Sequence, residues 1–230
     1  MSSWLRVRVV LDRLVAVVAM LVLAPVVAVL AILVKRHDGG PAFIWVERVG
    51  RDFEPFMMLK LRSMRADMPD GRARGPALTA KADERITPVG RRLRSYHLDE
   101  IPQLVNVARG DMLLLGPRPE APEYVDEGEP RWKAVLRVPP GIAGPTQLVV
   151  SDWERHLIAA DPDGSAYHDV VLPVKLAIDE WYVETMSFAR DLEVAVALLK
   201  RFLPGNQPTR MRYRVSREVP EAVSIGEPVP

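Results

Sequence analysis

The sequence predicts a chain that mixes helices with strands and begins with a membrane-inserted helix. The segment Leu14–Val34 is apolar throughout, with Pro25 near its middle. The runs Ala42–Val49 and Phe56–Met64 have the composition of β-strands, and residues 98–108 repeat apolar side chains at helical spacing. These three patterns place a membrane helix first, a hairpin next and further helices after it.

Composition excludes several classes of protein. The 230 residues suffice for one well-cored domain with an attached segment. Lys and Arg total 31 against 30 Asp and Glu, a balance that argues against a general nucleic-acid binder. The count of 0 cysteines excludes disulfides and thiolate metal sites. Any bound metal would therefore take oxygen or imidazole ligands, and carboxylates favour Mg²⁺ or Mn²⁺.

The apolar segment is long enough to cross a bilayer, because about twenty helical residues cover roughly 30 Å. Lys35 and Arg36 follow it directly, where a cleaved signal peptide would have small residues. Three arginines precede it, so both flanks are basic. Balanced flanks favour a helix that breaks or kinks at Pro25 and returns to the same membrane face. A straight spanning helix is the alternative, because membrane helices tolerate proline.

The two strand-like runs are predicted to pair as a hairpin across the turn Gly50–Asp52. Alternation places Lys60 and Arg62 on one face of the second strand. Two such cations either form a solvated edge or contact a diphosphate, and their spacing alone favours the solvated edge.

The polar segment Arg65–Asp83 is predicted as a loop, and one interpretation makes it a lid over a site. Thr87 and Pro88 then predict the start of a helix. The arginines of that helix form either a solvated face or a surface for anionic headgroups. They are Arg91, Arg92 and Arg94.

A helix is predicted from Leu98 to Ala108, with Gly110 as its C-terminal stop. Pro102 suits a first turn, so Asp99 lies at or near the helix N-terminus. The spacing places Gln103 and Asn106 on the polar side, away from the apolar face.

The position of Asp99 has a chemical consequence. Unpaired N–H groups and the helix dipole favour an ionised carboxylate there, and such a group can attack phosphorus. Glu100 lies about 100° further around an α-helix and could hold a divalent cation in the same cleft. Simple N-capping is the alternative, and it is favoured for an Asp-Glu pair taken alone.

A short predicted strand ends at the turn Gly116–Pro119. Pro117 and Pro119 restrict the backbone on both sides of Arg118. The guanidinium fork would then meet a phosphate at low entropic cost. A structural turn with Arg118 paired to a nearby acid such as Glu120 is an equal alternative.

Together these motifs resemble those of the bacterial sugar transferases, which are monotopic polyprenyl-phosphate phosphoglycosyl transferases. The order and spacing of the matching segments hold from about residue 10 to about residue 203, and such a colinear set favours a functional interpretation of each motif. The matching segments are Gly40–Pro41, Glu47–Arg51, Met58–Met64, Asp83–Arg91, Leu98–Leu104, Asn106–Val107, Gly110–Met112, Gly116–Glu120 and Pro140–Gly144.

The resemblance implies a compact α+β domain on a re-entrant membrane helix, with amphipathic helices at the membrane interface. It implies that Asp99 attacks a nucleotide diphosphate-sugar, with UDP as the favoured nucleotide. Polyprenyl phosphate, such as undecaprenyl phosphate, would then accept the phosphosugar in a ping-pong reaction. Glu100 would bind Mg²⁺. The implied phosphate-binding residues are Arg118, Lys60, Arg62, Arg48 and Gln147, and the implied structural residues are Pro25, Pro117 and Pro119.

The chain departs from the family pattern at three positions. It has His97 where a small residue is usual, Leu61 where an aromatic residue is usual, and Ser151 where an arginine is expected. That arginine would contribute to phosphate or sugar binding, and Arg155 is a candidate substitute. The departure keeps a rival function open, that of a non-catalytic membrane-bound scaffold or regulator in glycan assembly.

We expect three regions: a membrane helix at 1–38, a catalytic domain at 39–204 and a flexible tail at 205–230. Val170–Ala177 and Ile178–Lys200 are predicted as helices. The expected setting is the cytoplasmic face of the bacterial inner membrane. The expected partners are a nucleotide-sugar, polyprenyl phosphate and the lipid bilayer, without nucleic acid, and homo-oligomerisation is left open. Core packing and interfacial anchoring are equal alternatives for three aromatic residues, Trp181, Tyr182 and Phe188.

Overall fold

A computed structural model describes residues 3–66, 85–161, 165–201 and 209–222, except for the side chains of four of these residues, Arg155 among them. The chain divides into two compact units. The first contains residues 1–49 and 55–114, and the second contains residues 50–54 and 115–230. The predicted lid lies, from residue 67 onward, outside the described residues.

Helix α1 (Ser3–Asp38) forms the N-terminal part of the first unit. It is long and apolar enough to cross a membrane, and only 6% of its most apolar stretch is buried. Leu21 and Val22 are 73% and 68% exposed. The helix continues through Pro25, so the predicted break at that residue is not observed. The predicted apolar helix itself is confirmed.

Strands β1 (Phe43–Val49) and β2 (Pro55–Leu61) form the predicted antiparallel hairpin, with Ile44 opposite Lys60. The second strand ends three residues before the predicted Met64. Met64 instead makes an isolated bridge with Ile86, which directs the chain away from the hairpin.

Helix α2 (Pro88–Ser95) begins as predicted, because the Thr87 hydroxyl accepts a hydrogen bond from the Gly90 N–H at 2.8 Å. The next predicted helix needs a correction. Its first part, Leu98–Gln103, is a 3₁₀-helix, and α3 covers only Leu104–Arg109. Pro102 lacks the N–H that an α-helix would direct back to residue 98, so the tighter winding costs little there.

Apolar packing joins the C-terminal part of α1 to β2 and α2. Val34, Leu61 and Leu93 are buried together, with Leu98 of the 3₁₀-helix packed against them. At α3, Gly110 adopts the left-handed backbone expected of a C-terminal stop, with φ of 96°.

The second unit is mainly helical. Its helices end and begin at different places from those predicted. Residues Ala177 and Ile178 are buried within one continuous helix, and the break falls after Thr185, where Ser187 accepts hydrogen bonds from the N–H groups of the next helix. The elements are β3 (Leu113–Leu115), which enters from the first unit, α4 (Pro130–Val135), β4 (Gly141–Ala143), α5 (Pro145–Ala160), a π-helical turn (Tyr167–Val171), α6 (Leu172–Thr185), α7 (Phe188–Arg201) and α8 (Thr209–Glu218).

Part of the segment that is predicted to be a flexible tail is helical in the described residues. Helix α8 contacts α5 and buries Met211 and Val215, and the residues that follow the helix bury Val219 and Ala222. The four-residue spacing of the first three is helical, but the surrounding arginines and prolines obscure it.

Candidate active site

The acid pair lies in the first turn of the 3₁₀-helix, where unpaired N–H groups favour negative charge. Asp99 is 6% exposed and Glu100 is 8% exposed. His97 precedes them in a left-handed conformation with φ of 55°, which is uncommon outside glycine although histidine is enriched there. The backbone therefore turns sharply just before the two acids, and such strain often accompanies functional sites.

Lys60 of β2 faces this acid pair. Its ammonium lies 3.3 Å from Glu100 Oε1, with both side chains largely buried. The solvated edge favoured by the strand spacing is therefore wrong for Lys60. A lysine beside two adjacent carboxylates reduces their mutual repulsion and their repulsion of an incoming diphosphate.

Arg62 is also buried, but its contacts are structural. Its guanidinium donates to both carboxylate oxygens of Asp38 at 2.5 Å, and its Nε donates to Pro41 O at the same distance. A third contact reaches Met64 O at 3.1 Å. Arg62 thus anchors the C-terminal end of α1, and we do not include it among the phosphate-binding groups proposed below.

Two amides that follow the acid pair, on the side that the spacing predicts to be polar, are buried. Asn106 accepts from Leu59 N–H at 3.0 Å and donates to Met57 O at 2.8 Å, which fixes α3 against β2. Gln103 is 1% exposed, and its Nε2 has no hydrogen-bond partner among the described residues. A buried hydrogen-bond donor without a partner is unusual near a site. In the sequence, the position of Gln103 four residues after Asp99 indicated that it lies on the same side of the helix as Asp99.

Arg48 lies on β1, where its Nη1 donates to Glu47 O at 2.9 Å. This contact keeps the guanidinium close to its own strand. The structure therefore places Arg48 in the same unit as Asp99.

The turn Gly116–Pro119 of the second unit meets the turn Gly141–Gly144 backbone to backbone. Gly116 N–H donates to Ala143 O and Gly141 N–H donates to Pro117 O, each at 2.8 Å. A Cβ on Gly141 would lie 2.0 Å from the Gly116 nitrogen. Only glycine permits this approach, so these glycines hold the two turns as one structure.

Arg118 is half-buried on this paired turn. Glu120, the nearby acid considered as its partner, pairs with Lys175 of α6 at 2.6 Å. Burial raises the pKa of Glu120, but Lys175, hydrogen bonds from Lys175 and Tyr167, and the charge of Arg118 outweigh it and leave that pKa below its usual value.

Gln147 lies in the first turn of α5 and closes the preceding turn. Its Oε1 accepts from Gly144 N–H at 2.7 Å. Its backbone oxygen accepts from the Ser151 hydroxyl and, at 2.7 Å, from Arg201 Nη1 of α7. Ser151 occupies the position where the family pattern has an arginine. Arg201 therefore places its guanidinium at the same backbone oxygen that the Ser151 hydroxyl contacts. Its separation of 54 residues from Gln147 hid this contact from sequence reasoning. The side chain of Arg155 lies outside the described part.

The donor set near Asp99 suits magnesium bound mainly through a substrate. The described residues contain no group of three or more His, Asp or Glu side chains able to hold a metal. Mg²⁺ commonly takes one or two carboxylates together with substrate phosphates and water. Asp99 and Glu100 supply such carboxylates, so the residues fit a metal that arrives with its phosphate ligand.

The family profile described as bacterial sugar transferase matches residues 3–204. The chain belongs to this family. It is 35% identical over 199 residues to the UDP-glucose:undecaprenyl-phosphate glucose-1-phosphate transferase of Caulobacter vibrioides, covering 84% of this chain and 68% of that protein.

Other relatives have related names. The UDP-N-acetylgalactosamine-undecaprenyl-phosphate N-acetylgalactosaminephosphotransferase of Aeromonas hydrophila is 32% identical, covering 85% of this chain and 43% of that protein. The exopolysaccharide production protein ExoY of Rhizobium meliloti is 32% identical, covering 80% of this chain and 79% of that protein. The expected family and its class of enzyme, a sugar transferase, are thereby confirmed.

Proposed function

We propose that this sugar transferase moves a phosphosugar from a nucleotide diphosphate-sugar to polyprenyl phosphate and so initiates a membrane-bound glycan. The observation that carries the proposal is the buried Asp99–Glu100 pair beside the Lys60 ammonium, in a chain related to undecaprenyl-phosphate sugar-phosphate transferases. The names of the relatives support UDP-sugars as donors and exopolysaccharide as one product class.

The proposed reaction has two displacements at phosphorus. A carboxylate oxygen of Asp99 attacks the sugar-bearing phosphorus, the bond to the nucleotide's bridging oxygen breaks, and a nucleoside monophosphate leaves with that electron pair. An oxygen of polyprenyl phosphate then attacks the same phosphorus. The acyl–phosphorus bond breaks, Asp99 regains its carboxylate, and the product is a polyprenyl diphosphate-sugar.

Glu100 is proposed to hold Mg²⁺, which would offset the negative charge of the diphosphate when bound. Lys60 balances Glu100 and contributes positive charge where the phosphates arrive. Arg118 is proposed to bind a substrate phosphate, because its turn restricts the backbone and its guanidinium suits bidentate contact. We propose that Arg201 supplies positive charge at the turn that Gln147 closes, because its guanidinium donates to Gln147 O.

A re-entrant arrangement of α1 is supported by contacts at both of its ends. Asp12 accepts from Leu114 N–H at 2.9 Å, and Arg13 donates to Arg109 O at 3.0 Å. Asp38, at the other end, pairs with Arg62. A straight helix would separate Asp12 from Asp38 by about 39 Å. A spanning helix places its ends on opposite faces, whereas here both ends bind the same unit and the apolar middle is exposed.

Helix α7 supports a second contact with the membrane surface. Its exposed apolar side chains lie at spacings of four, four and three residues, while Asp191 and Val194 are buried on the other side. Such a face suits an interfacial helix, and the basic residues of its last turn suit anionic headgroups. The exposed residues are Phe188, Leu192, Val196 and Leu199.

Nucleoside monophosphate release tests the proposed chemistry. The full chain in nanodiscs would be incubated with Mg²⁺, undecaprenyl phosphate and either UDP-glucose or UDP-N-acetylgalactosamine. We expect UMP release with one donor and a loss of roughly 10⁴-fold in Asp99→Asn. The exposed Asp126→Asn is the matched control and should retain activity. In the wild type without acceptor, a phosphosugar adduct on Asp99 should be detectable by mass spectrometry.

Two outcomes would contradict this proposal. Unchanged turnover in Asp99→Asn would remove the covalent mechanism. A folded wild type that releases no nucleotide across a broad panel of donors would favour the scaffold function, for which the serine at position 151 is the motivating observation.

The re-entrant arrangement can be tested with single cysteines, because the natural chain has none. Ser3→Cys and His37→Cys would be labelled with a membrane-impermeant maleimide in right-side-out and inverted vesicles. Labelling of both only in inverted vesicles is expected. Labelling from opposite sides would establish a spanning helix.

A further inference from the structure

Helix α6 contacts both motif turns of the second unit through two side chains four residues apart. Lys175 binds Glu120, which directly follows the Gly116–Pro119 turn. Asp179 accepts a hydrogen bond from the hydroxyl of Thr146, which lies two residues after the Gly141–Gly144 turn. Residues at this spacing lie on one side of a helix, so a single surface of α6 anchors both turns.

The anchor at Lys175 is a closed network. Its ammonium also donates to Tyr167 OH at 2.8 Å and lies 3.6 Å from Glu154, while Tyr167 OH donates to the second oxygen of Glu120 at 3.0 Å. Tyr124, near the turn, packs edge-on against the Tyr167 ring at 4.8 Å. The carboxylate that follows the turn thus has both oxygens fixed.

Stability alone does not explain the buried ion pair of Lys175 and Glu120. Lys175 and Asp179 are 7% and 6% exposed, and an apolar replacement of a whole buried ion pair is often neutral or stabilising. Burial lowers the pKa of Lys175, but Glu120, Tyr167 and Glu154 outweigh it and hold that pKa well above its usual value. Lys175 therefore stays charged as the permanent partner of Glu120.

We propose that Lys175 and Asp179 are positioning residues that fix the paired turns and thereby the guanidinium of Arg118. Without Lys175, Glu120 would become a poorly compensated buried carboxylate two residues from Arg118. The charge of Arg118 already acts on Glu120, so the guanidinium would be drawn to that carboxylate and away from phosphate. This inference rests on the proposed function, in which Arg118 binds a substrate phosphate.

Kinetics of UMP release in nanodiscs test the inference. Lys175→Met should raise the KM for the UDP-sugar and lower kcat/KM on the order of 100-fold. Adding Glu120→Gln to Lys175→Met removes the competing carboxylate and should recover much of the loss. Asp179→Asn keeps an acceptor for the Thr146 hydroxyl and should change kcat/KM by less than about threefold, whereas Asp179→Leu should lower it about tenfold.

A double-mutant cycle of Lys175→Met with Arg118→Ala distinguishes a positioning role of Lys175 from a general loss of structure. If Lys175 acts through Arg118, Lys175→Met should cost little in the Arg118→Ala background, whereas independent effects would multiply. Arg131→Met is the matched control, because Arg131 pairs with Glu180 of α6 at 3.3 Å through a contact that involves neither turn. It should leave kcat/KM within about twofold.

The outcomes distinguish the two proposals. A wild type without UMP release would overturn the proposed function and this inference together. An active wild type in which the losses of Lys175→Met and Arg118→Ala multiply, or in which Glu120→Gln recovers nothing in folded protein, would overturn the inference alone.

Discussion

Two lysine–glutamate pairs, one in each unit, have different surroundings. Lys60 and Glu100 lie 3.3 Å apart, and Glu100 adjoins a second carboxylate, Asp99. Lys175 and Glu120 lie 2.6 Å apart, and the Tyr167 hydroxyl bonds to both. The first pair therefore lies directly beside the acid of the proposed reaction. In the second pair a neutral hydroxyl bridges the lysine and the glutamate, and a further acid, Glu154, lies 3.6 Å from Lys175.

This difference indicates that the two lysine–glutamate pairs have different roles. A pair beside the acid that attacks phosphorus can exchange partners when a diphosphate and a metal arrive, because the arriving charges replace the contacts that are broken. A buried pair that a third group bridges by hydrogen bonds resists such rearrangement. We therefore interpret Lys60–Glu100 as a group that meets substrate and Lys175–Glu120 as a support.

A large effect is expected from removing the cation of the first pair. Lys60→Met should lower kcat/KM on the order of 100-fold, because the diphosphate then meets the carboxylates of Asp99 and Glu100 without the charge of the Lys60 ammonium. Activity should also depend more steeply on Mg²⁺ concentration. UMP release measured over a magnesium titration checks this, with the exposed Lys133→Met as control. Unchanged kinetics would place Lys60 outside the reaction and remove the contrast between the pairs.

A smaller effect is expected from removing Arg201, the cation that α7 places at Gln147. Arg201→Met should raise the KM for the UDP-sugar about tenfold, as for one lost charge-assisted hydrogen bond. The double substitution Ser151→Arg with Arg201→Met should restore binding. The exposed neighbour Lys200→Met serves as control. If Ser151→Arg improves KM equally with Arg201 intact, the two cations act independently and Arg201 is no substitute.

The smallest effect concerns stability and pH in the support of the second unit. Burial raises the pKa of Asp179 to about 7 from 3.8, with Glu120 adding to the rise and with Thr146 and Lys175 opposing it. The folded state therefore holds a proton that the unfolded state releases. This stabilisation is complete below about pH 4 and is lost as pH rises through 7.

Between pH 6 and 8 the loss should be about 1 kcal/mol in the free energy of unfolding. Denaturant unfolding of wild type and Asp179→Asn at both pH values measures it, since the variant lacks the titrating group. An identical pH dependence in the two proteins would show that Asp179 is ionised throughout this range and that its carboxylate is better compensated than its burial indicates.

Several features followed from the sequence because they depend on near neighbours. The apolar helix, the hairpin, the cap at Thr87 and the stop at Gly110 are all set by periodicity or by one residue's backbone preference. The 3₁₀ winding around Asp99 was missed, although Pro102, which permits it, was visible. Helix α8 was missed because its polar residues conceal a narrow apolar stripe.

The sequence by itself determined the candidate features of the site: an acid pair in a first turn, an arginine between two prolines and a long apolar helix. Only the tertiary structure decided their partners. Lys60 with Glu100, Asp38 with Arg62 and Arg201 with Gln147 are separated by 40, 24 and 54 residues. Local patterns record which side chains prefer burial, but a chain with 31 cations and 30 anions offers many pairings of similar energy. Packing determines which of these pairs are brought together and shielded from water. It therefore decides which charged residues hold the surrounding structure and which lie in the candidate site.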